Sequence, residues 1–235
     1  MGSTRAAAVA AGVFFLVAAV TAIVALALYQ PLLGDPGYVL GSGADTQVLV
    51  GGFLELVLAV SCIGTAVTLY PVVKRQDHGV ALGYVCGRLL EAAIIVVGIL
   101  SVLSVVTLRR SSGGAPGTDD DALVAAGRSL VALHDWSFLL GPGLVIGLNS
   151  LLLAWLMHRS RLVPRWIAGI GLVGGPLVLL SSTAIMFGLY DQVSSLGMLA
   201  ALPVFAWEMS LAGYLIVKGF RPSPVAVHPA QPIPA

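Results

Sequence analysis

Charged residues are scarce in this chain of 235 residues, of which lysine, arginine, aspartate and glutamate make up only 10%. Soluble domains contain about 25% of these residue types. Apolar residues account for 58% of the chain, and the mean hydropathy is +0.98. One soluble core of this size cannot bury so much apolar surface, whereas a lipid bilayer solvates it directly. The composition therefore predicts an integral membrane protein.

Cysteines and recognisable catalytic motifs are also few. Cys62 and Cys86 lie in different apolar runs and form no CxxC pair, so we expect two buried thiols rather than a disulfide or a metal site. The net charge of +1 predicts no nucleic-acid partner. The chain has no HExxH, GxSxG or HxxxH motif and no glycine-rich phosphate loop after a strand. We therefore expect no metal, no cofactor and no bound nucleotide.

Long apolar runs dominate what is present. Each reaches the roughly 20 residues that a helix needs to cross a bilayer, and none has the period-two alternation of barrel strands. The prediction is an all-α, polytopic membrane bundle of about six transmembrane helices in one domain, residues 1–221. A proline-rich tail, residues 222–235, is predicted to be disordered. The six runs are residues 6–29, 48–73, 80–108, 129–157, 166–190 and 198–217.

The distribution of lysine and arginine predicts the orientation of the bundle. Eight basic residues fall at the end that holds the N-terminus, three fall at the opposite end, and Arg88 lies inside a run. Because cytoplasmic loops carry the excess of basic residues, both termini are predicted to be inside the cell. The eight are Arg5, Lys74, Arg75, Arg159, Arg161, Arg165, Lys218 and Arg221; the three are Arg109, Arg110 and Arg128.

Local signals refine the helices. Asp119 is expected to cap the start of helix four and to extend that helix beyond the membrane. Pairs of glycines four residues apart, such as Gly171 with Gly175, favour close packing of helices within the chain over a dimer interface. Pro142 and Pro176 lie inside runs, where each removes a helix hydrogen bond and favours a kink.

Ionisable residues inside the apolar runs are the candidate functional groups. A central Asp or Arg in a transmembrane helix costs about 2.5 to 3.5 kcal/mol, so such groups are expected to face the bundle interior and to find partners. Arg88 and Glu91 are three residues apart and share one helical face with Tyr84. The candidates are Glu55, Arg88, Glu91, His134, Asp135 and Glu208.

Two interpretations of these groups remain open from the sequence. In one, they line a single outward-facing polar pocket, with Arg88 near its floor and with His134 and Asp135 at its mouth. In the other, they pair with one another and only fix the register of the helices. A pocket would allow a protonated glutamate to carry a proton or act as a general acid. It would also allow Arg88 to hold an anionic group.

Several short segments, recurring together in order, resemble a known family. The segments are residues 69–75, 87–92, 160–166, 207–208 and 217–220. Together they are similar to a bacterial membrane protein family, common in actinobacteria, called domain of unknown function 4386 (DUF4386). The resemblance covers most of the chain, from about Arg5 to Phe220. It implies a compact multi-helix protein of the cell membrane, but no activity, substrate or cofactor.

Three classes of function are compatible with this sequence. The first is a protein that binds or moves a small molecule, a lipid or a proton through an intramembrane pocket. The second is a membrane-embedded enzyme that uses Glu or His as acid or base on a hydrophobic substrate, such as a prenyl chain. The third is a structural or regulatory partner of another membrane protein. Short loops leave the bundle as the place for a site, which favours the first two; the oligomeric state is not predicted.

Overall fold

A computed structural model describes residues 2–41, 43–112 and 119–221, and within these residues the chain is entirely helical. A 3-10 turn, Tyr38–Leu40, follows the first helix, and a π-helical segment, Leu139–Val145, joins α4 to α5. The predicted tail at residues 222–235 lies outside the described residues. The α-helices are α1 (Gly2–Leu33), α2 (Asp45–Val73), α3 (His78–Ser112), α4 (Asp120–Phe138), α5 (Ile146–Ser160), α6 (Arg165–Met186) and α7 (Ser195–Val217).

The predicted all-α bundle is confirmed. Six helical spans in the described residues are long and apolar enough to cross a membrane, and α4, the π-helical segment and α5 together form one of them, Asp120–Ser160. The carboxylate of Asp119 accepts a hydrogen bond from the Asp121 amide at 3.0 Å, which confirms the predicted helix cap. A continuous helix of 41 residues is about 60 Å long and extends well beyond the bilayer.

At the end that carries the eight basic residues, here called the basic end, all six spans pack around one core. Phe15, Leu69, Tyr84, Leu156 and Leu211 are buried in this core. The guanidinium of Arg5 donates to the carbonyl oxygens of Leu215 and Ile216 at 3.1 and 2.6 Å. A cation there satisfies the last carbonyl groups of α7 and holds α1 against it.

At the opposite end, here called the Asp45 end, the core is smaller and includes fewer helices. Tyr29, Val48 and Val105 are buried in it, and Leu130 packs against them, so this core joins α1, α2, α3 and α4. The corresponding part of α7 carries exposed apolar residues, including Leu196, Leu199 and Leu202. The bundle is therefore closed at the basic end. At the Asp45 end α7 does not contribute to the core in the described residues, and the opening beside it is here called the fork.

Glycines allow two of the helix pairs to approach closely. A Cβ atom added to Gly175 would lie 2.8 Å from the carbonyl oxygen of Gly147, so α5 and α6 meet backbone to backbone. A Cβ atom on Gly171 would lie 2.7 Å from the Trp207 ring of α7. These contacts are within one chain, as expected for glycines that pack helices in lipid.

One expectation about the thiols is wrong. Cys62 is buried between α2 and α3, but Cys86 is exposed. An exposed thiol on a spanning helix lies against lipid, and its small apolar side chain is compatible with that position.

The orientation of the bundle remains a prediction, and single-cysteine labelling tests it. In a variant without Cys62 and Cys86, a cysteine at Gln76 should react only when a membrane-impermeant maleimide reaches the cytoplasmic side. A cysteine at Gly113, which lies between α3 and α4 in the sequence, should react from outside in intact cells. The reverse pattern would invert the predicted topology.

Candidate functional site

A cavity of about 210 Å³ lies in the fork, between mid-span and the Asp45 end. The chain contains three glutamates, and all three line this cavity although they lie on α2, α3 and α7. Arg88 and His134 line it as well. Five of the six candidate residues thus share one cavity; these five come from four of the spans, and all six spans contribute to its lining.

Arg88 forms the deepest part of the polar wall. It is buried and donates from Nη1 to Glu91 at 3.1 Å and from Nη2 to Glu208 at 2.6 Å. Its Nε donates to the Tyr84 hydroxyl at 3.3 Å, and the guanidinium lies 5.4 Å from the centre of the Phe15 ring. Two carboxylates and a cation–π contact stabilise a charge that would otherwise be costly within the bilayer.

The side chain of Glu91 is held by Arg88, Asn149 and Cys62. Asn149 donates to its Oε2 atom at 2.7 Å, the same atom that Arg88 contacts. The Cys62 thiol lies 4.0 Å from Oε1. Asn149 in turn fits against Gly87, where a Cβ atom would lie 2.0 Å from its Oδ1 atom. This part of the cluster is buried and hydrogen-bonded within the protein, and it has the character of a structural ion pair.

Glu55 has a different environment, because no cation pairs with it in the described residues. Its Oε2 atom accepts a hydrogen bond from the Tyr29 hydroxyl at 2.9 Å. The His134 ring stacks edge-on against the Tyr29 ring at 5.5 Å between centres. A narrow extension of the cavity is lined by Glu55, His134 and Ser137. Glu55 and His134 therefore form a second polar wall, nearer the Asp45 end than Arg88.

His134 is 3% exposed, and its Nδ1 atom has no hydrogen-bond partner in the described residues. The carboxylate of Asp135 lies 3.5 Å from this atom, outside hydrogen-bond geometry. Buried polar groups normally have a partner, so an orphaned imidazole beside a cavity calls for an explanation.

The π-helical segment shapes the wall that carries His134. Phe138 and Pro142 line the cavity, and Pro142 is the predicted helix-breaking proline of this span. Proline cannot donate the usual helix hydrogen bond, and one π-helical turn accommodates that loss within a continuous helix. Such π-helical segments occur frequently at functional sites.

Lipid-facing residues form the rim of the cavity. Ile23 and Leu26 of α1 and Ala201 and Phe205 of α7 line it, and all four are exposed, Ile23 by 60%. Because these positions lie within spanning helices, the gap between α1 and α7 faces the bilayer. This differs from the expected mouth toward the outer aqueous phase.

Asp135 is the candidate that lies elsewhere. Its side chain is 60% exposed and lines a separate cavity of about 250 Å³ at the Asp45 end, together with Asp35 and Arg128. Successive residues on a helix point about 100° apart, so His134 and Asp135 cannot both face the same wall. The helical period therefore already indicated, from the sequence, that the two side chains point in different directions.

Sequence reasoning also missed Tyr29, whose hydroxyl binds Glu55, because aromatic residues near helix ends are ordinarily membrane anchors. A second missed feature is an ion cluster that joins α2 to α3 at the Asp45 end: Arg109 and Arg110 both bind the carboxylate of Asp45. The Tyr38 hydroxyl donates to Asp45 at 2.9 Å, and burial together with this carboxylate raises the pKa of Tyr38 to about 12. Tyr38 is therefore neutral and fastens the first loop to α2 and α3.

The comparison with protein families agrees with the resemblance found in the sequence. The family model described as Domain of unknown function (DUF4386) matches residues 10–219, so the chain belongs to that family. No curated protein and no solved structure matches the chain.

Proposed function

We propose that this member of the DUF4386 family is a cell-membrane protein that binds an amphiphilic molecule in the cavity between α1 and α7. The polar group of the ligand lies against the glutamate cluster, and its apolar chain extends through the gap into the bilayer. The observation that carries the proposal is a polar intramembrane cavity whose rim consists of exposed apolar residues.

Packing supports a role beyond fixing helix register. The ion pair between Arg88 and Glu91 is complete without a cavity, and the same holds for its bond to Asn149. Glu55 contributes to no ion pair in the described residues, yet it is retained on the cavity wall at a cost of a few kcal/mol. A carboxylate on a cavity wall without a cationic partner is a candidate for binding a ligand.

The shape of the fork also favours an amphiphile over a water-soluble molecule. Small side chains of Ala18, Ala22 and Ala201 leave space beside the polar wall, and Val204 and Phe205 complete an apolar one. Ligand pockets combine such a mainly apolar lining with a few polar groups that orient the ligand. A ligand with an apolar chain reaches this site by diffusion in the bilayer.

Two alanines of α7 provide a matched test. Ala201 and Ala206 are both exposed, but only Ala201 lines the cavity. The probes are dodecylamine, dodecanol and dodecyl phosphate, added to the protein in nanodiscs of neutral lipid. At least one probe should raise the thermal unfolding midpoint by about 5 °C, because a ligand that binds only the folded state stabilises it.

The Ala201→Trp variant should lose this stabilisation because the indole fills the gap, and the Ala206→Trp variant should retain it. If no probe shifts the midpoint of the unmodified protein, the proposal fails. It fails equally if both tryptophan variants respond alike, because the shift would then come from partitioning into lipid.

A further inference from the structure

Resting on the proposed function, we infer that the polar group of the ligand is an organic cation, an alkylammonium or guanidinium group, held between Glu55 and Glu208. The cavity offers hydrogen-bond acceptors and negative charge on two walls. Most of its donors are already engaged by the protein.

The donors are accounted for first. An arginine has five N–H groups, and four of those on Arg88 have acceptors: Tyr84, Cys62, Glu91 and Glu208. Asn149 donates to Glu91 and Tyr29 donates to Glu55. An anionic group entering the cavity would therefore compete with carboxylates for Arg88 rather than meet a free cation.

The acceptors are in excess. Glu208 accepts a hydrogen bond from Arg88 through Oε1, and Glu55 accepts one from Tyr29 through Oε2. Within the described residues, the other carboxylate oxygen of each glutamate has no hydrogen-bond donor. Because these residues lie on α7 and α2, they approach the cavity from different walls. The orphaned Nδ1 atom of His134 adds a further unsatisfied polar group on a side chain that lines the same cavity.

Counting charges leads to the same ligand class. Three carboxyl groups line the cavity with one guanidinium, and even a protonated His134 would leave one negative charge uncompensated. In a medium of low dielectric a carboxyl group stays ionised only if a cation compensates it and otherwise takes up a proton, and a cationic ligand is the partner that would keep the third carboxylate ionised.

Two aromatic rings on the apolar side suit an ammonium group. Phe138 and Phe205 both line the cavity. The face of an aromatic ring attracts a cation, and aromatic walls are a recurrent feature of sites that bind substituted ammonium groups. A carboxylate or phosphate group would find no such contact on this wall.

The test compares headgroups on one chain length. In nanodiscs of neutral lipid, dodecylamine should bind at least about tenfold more tightly than dodecyl phosphate, with dodecanol between them. Glu55→Gln and Glu208→Gln should each weaken dodecylamine binding about tenfold, because each removes one charge-assisted hydrogen bond. Both variants should leave dodecanol binding unchanged, and Asp191→Asn, an exposed carboxylate away from the cavity, should change neither.

The outcomes separate the two proposals. Tighter binding of dodecyl phosphate, or glutamine variants that bind dodecylamine as well as the unmodified protein does, overturns the cationic ligand while leaving an amphiphile site intact. Failure of all three probes to bind overturns the site itself. Should Glu208→Gln fold poorly because Arg88 loses a partner, Glu55→Gln carries the test, since Glu55 pairs with no cation in the described residues.

Discussion

Replacing Arg88 by alanine should reduce the stability of the folded protein more than any other single change at the cavity. The substitution leaves the buried Glu91 and the partly buried Glu208 without a cation. Breaking a buried ion pair by removing one partner costs about 3–5 kcal/mol. The fraction of protein that elutes as a single peak after extraction in mild detergent should fall to a small part of the normal value.

Replacing the charged partners of Arg88 by leucine tests which of them cause the loss of folded protein. The double change Arg88→Leu with Glu91→Leu removes one pair but strands Glu208, so it should recover the folded fraction only in part. Adding Glu208→Leu removes all three charges and should recover most of it, because apolar replacements of a buried ion cluster are often tolerated. Full recovery in the double variant, or none in the triple variant, would contradict the contacts described for Arg88.

A leucine at Gly171 should be the second strongly destabilising change. The added Cβ atom alone would lie 2.7 Å from the Ala154 methyl group and 2.7 Å from the Trp207 ring, so α5, α6 and α7 would have to separate. Overpacking of this kind costs about 1–3 kcal/mol. The thermal midpoint in detergent should fall by several degrees.

The matched control lies two residues away on the same helix. A Cβ atom at Gly169 would meet nothing within 4 Å, so Gly169→Leu should leave the midpoint unchanged or raise it slightly. Equal losses at the two positions would show that close packing of α6 against α5 and α7 is not the cause of the destabilisation.

The transmembrane spans could be predicted because each depends only on a continuous stretch of the sequence. A run of apolar residues long enough to cross the bilayer allows only a helix, since the backbone must satisfy its own hydrogen bonds in lipid. Even the extension of the fourth span to Asp120 followed from a local signal, the capping carboxylate of Asp119. The predicted run began at Ser129 because Asp120, Asp121 and Arg128 carry charges in the preceding turns of that helix.

The contacts of the site depend on distant parts of the chain and could be predicted only in part. Arg88 and Glu91 share one helical face, so their pairing was visible at a spacing of three residues. The stronger contact, to Glu208, joins positions 120 residues apart, and no local pattern indicates which helices become neighbours. The lateral gap likewise depends on how α7 diverges from α1, which hydropathy does not encode.

The packing of the two ends explains how one small bundle would hold a ligand. Arg5 binds the end of α7 and the shared core closes the basic end, while the Asp45 cluster joins the opposite ends of α2 and α3 to the loop that follows α1. The part of α7 from Ser195 to Phe205 is mostly exposed. Its position relative to α1 sets the width of the gap, so a ligand would act on this segment first.

Photo-crosslinking with a dodecylamine analogue that carries a diazirine in its chain tests the central claim most directly. The account predicts labelled peptides from α1 around Ala18–Leu26 and from α7 around Ala201–Phe205, with labelling suppressed by excess unmodified dodecylamine and by Ala201→Trp. Uniform labelling of exposed apolar positions such as Val67 and Val173, unaffected by either treatment, would contradict an intramembrane binding site.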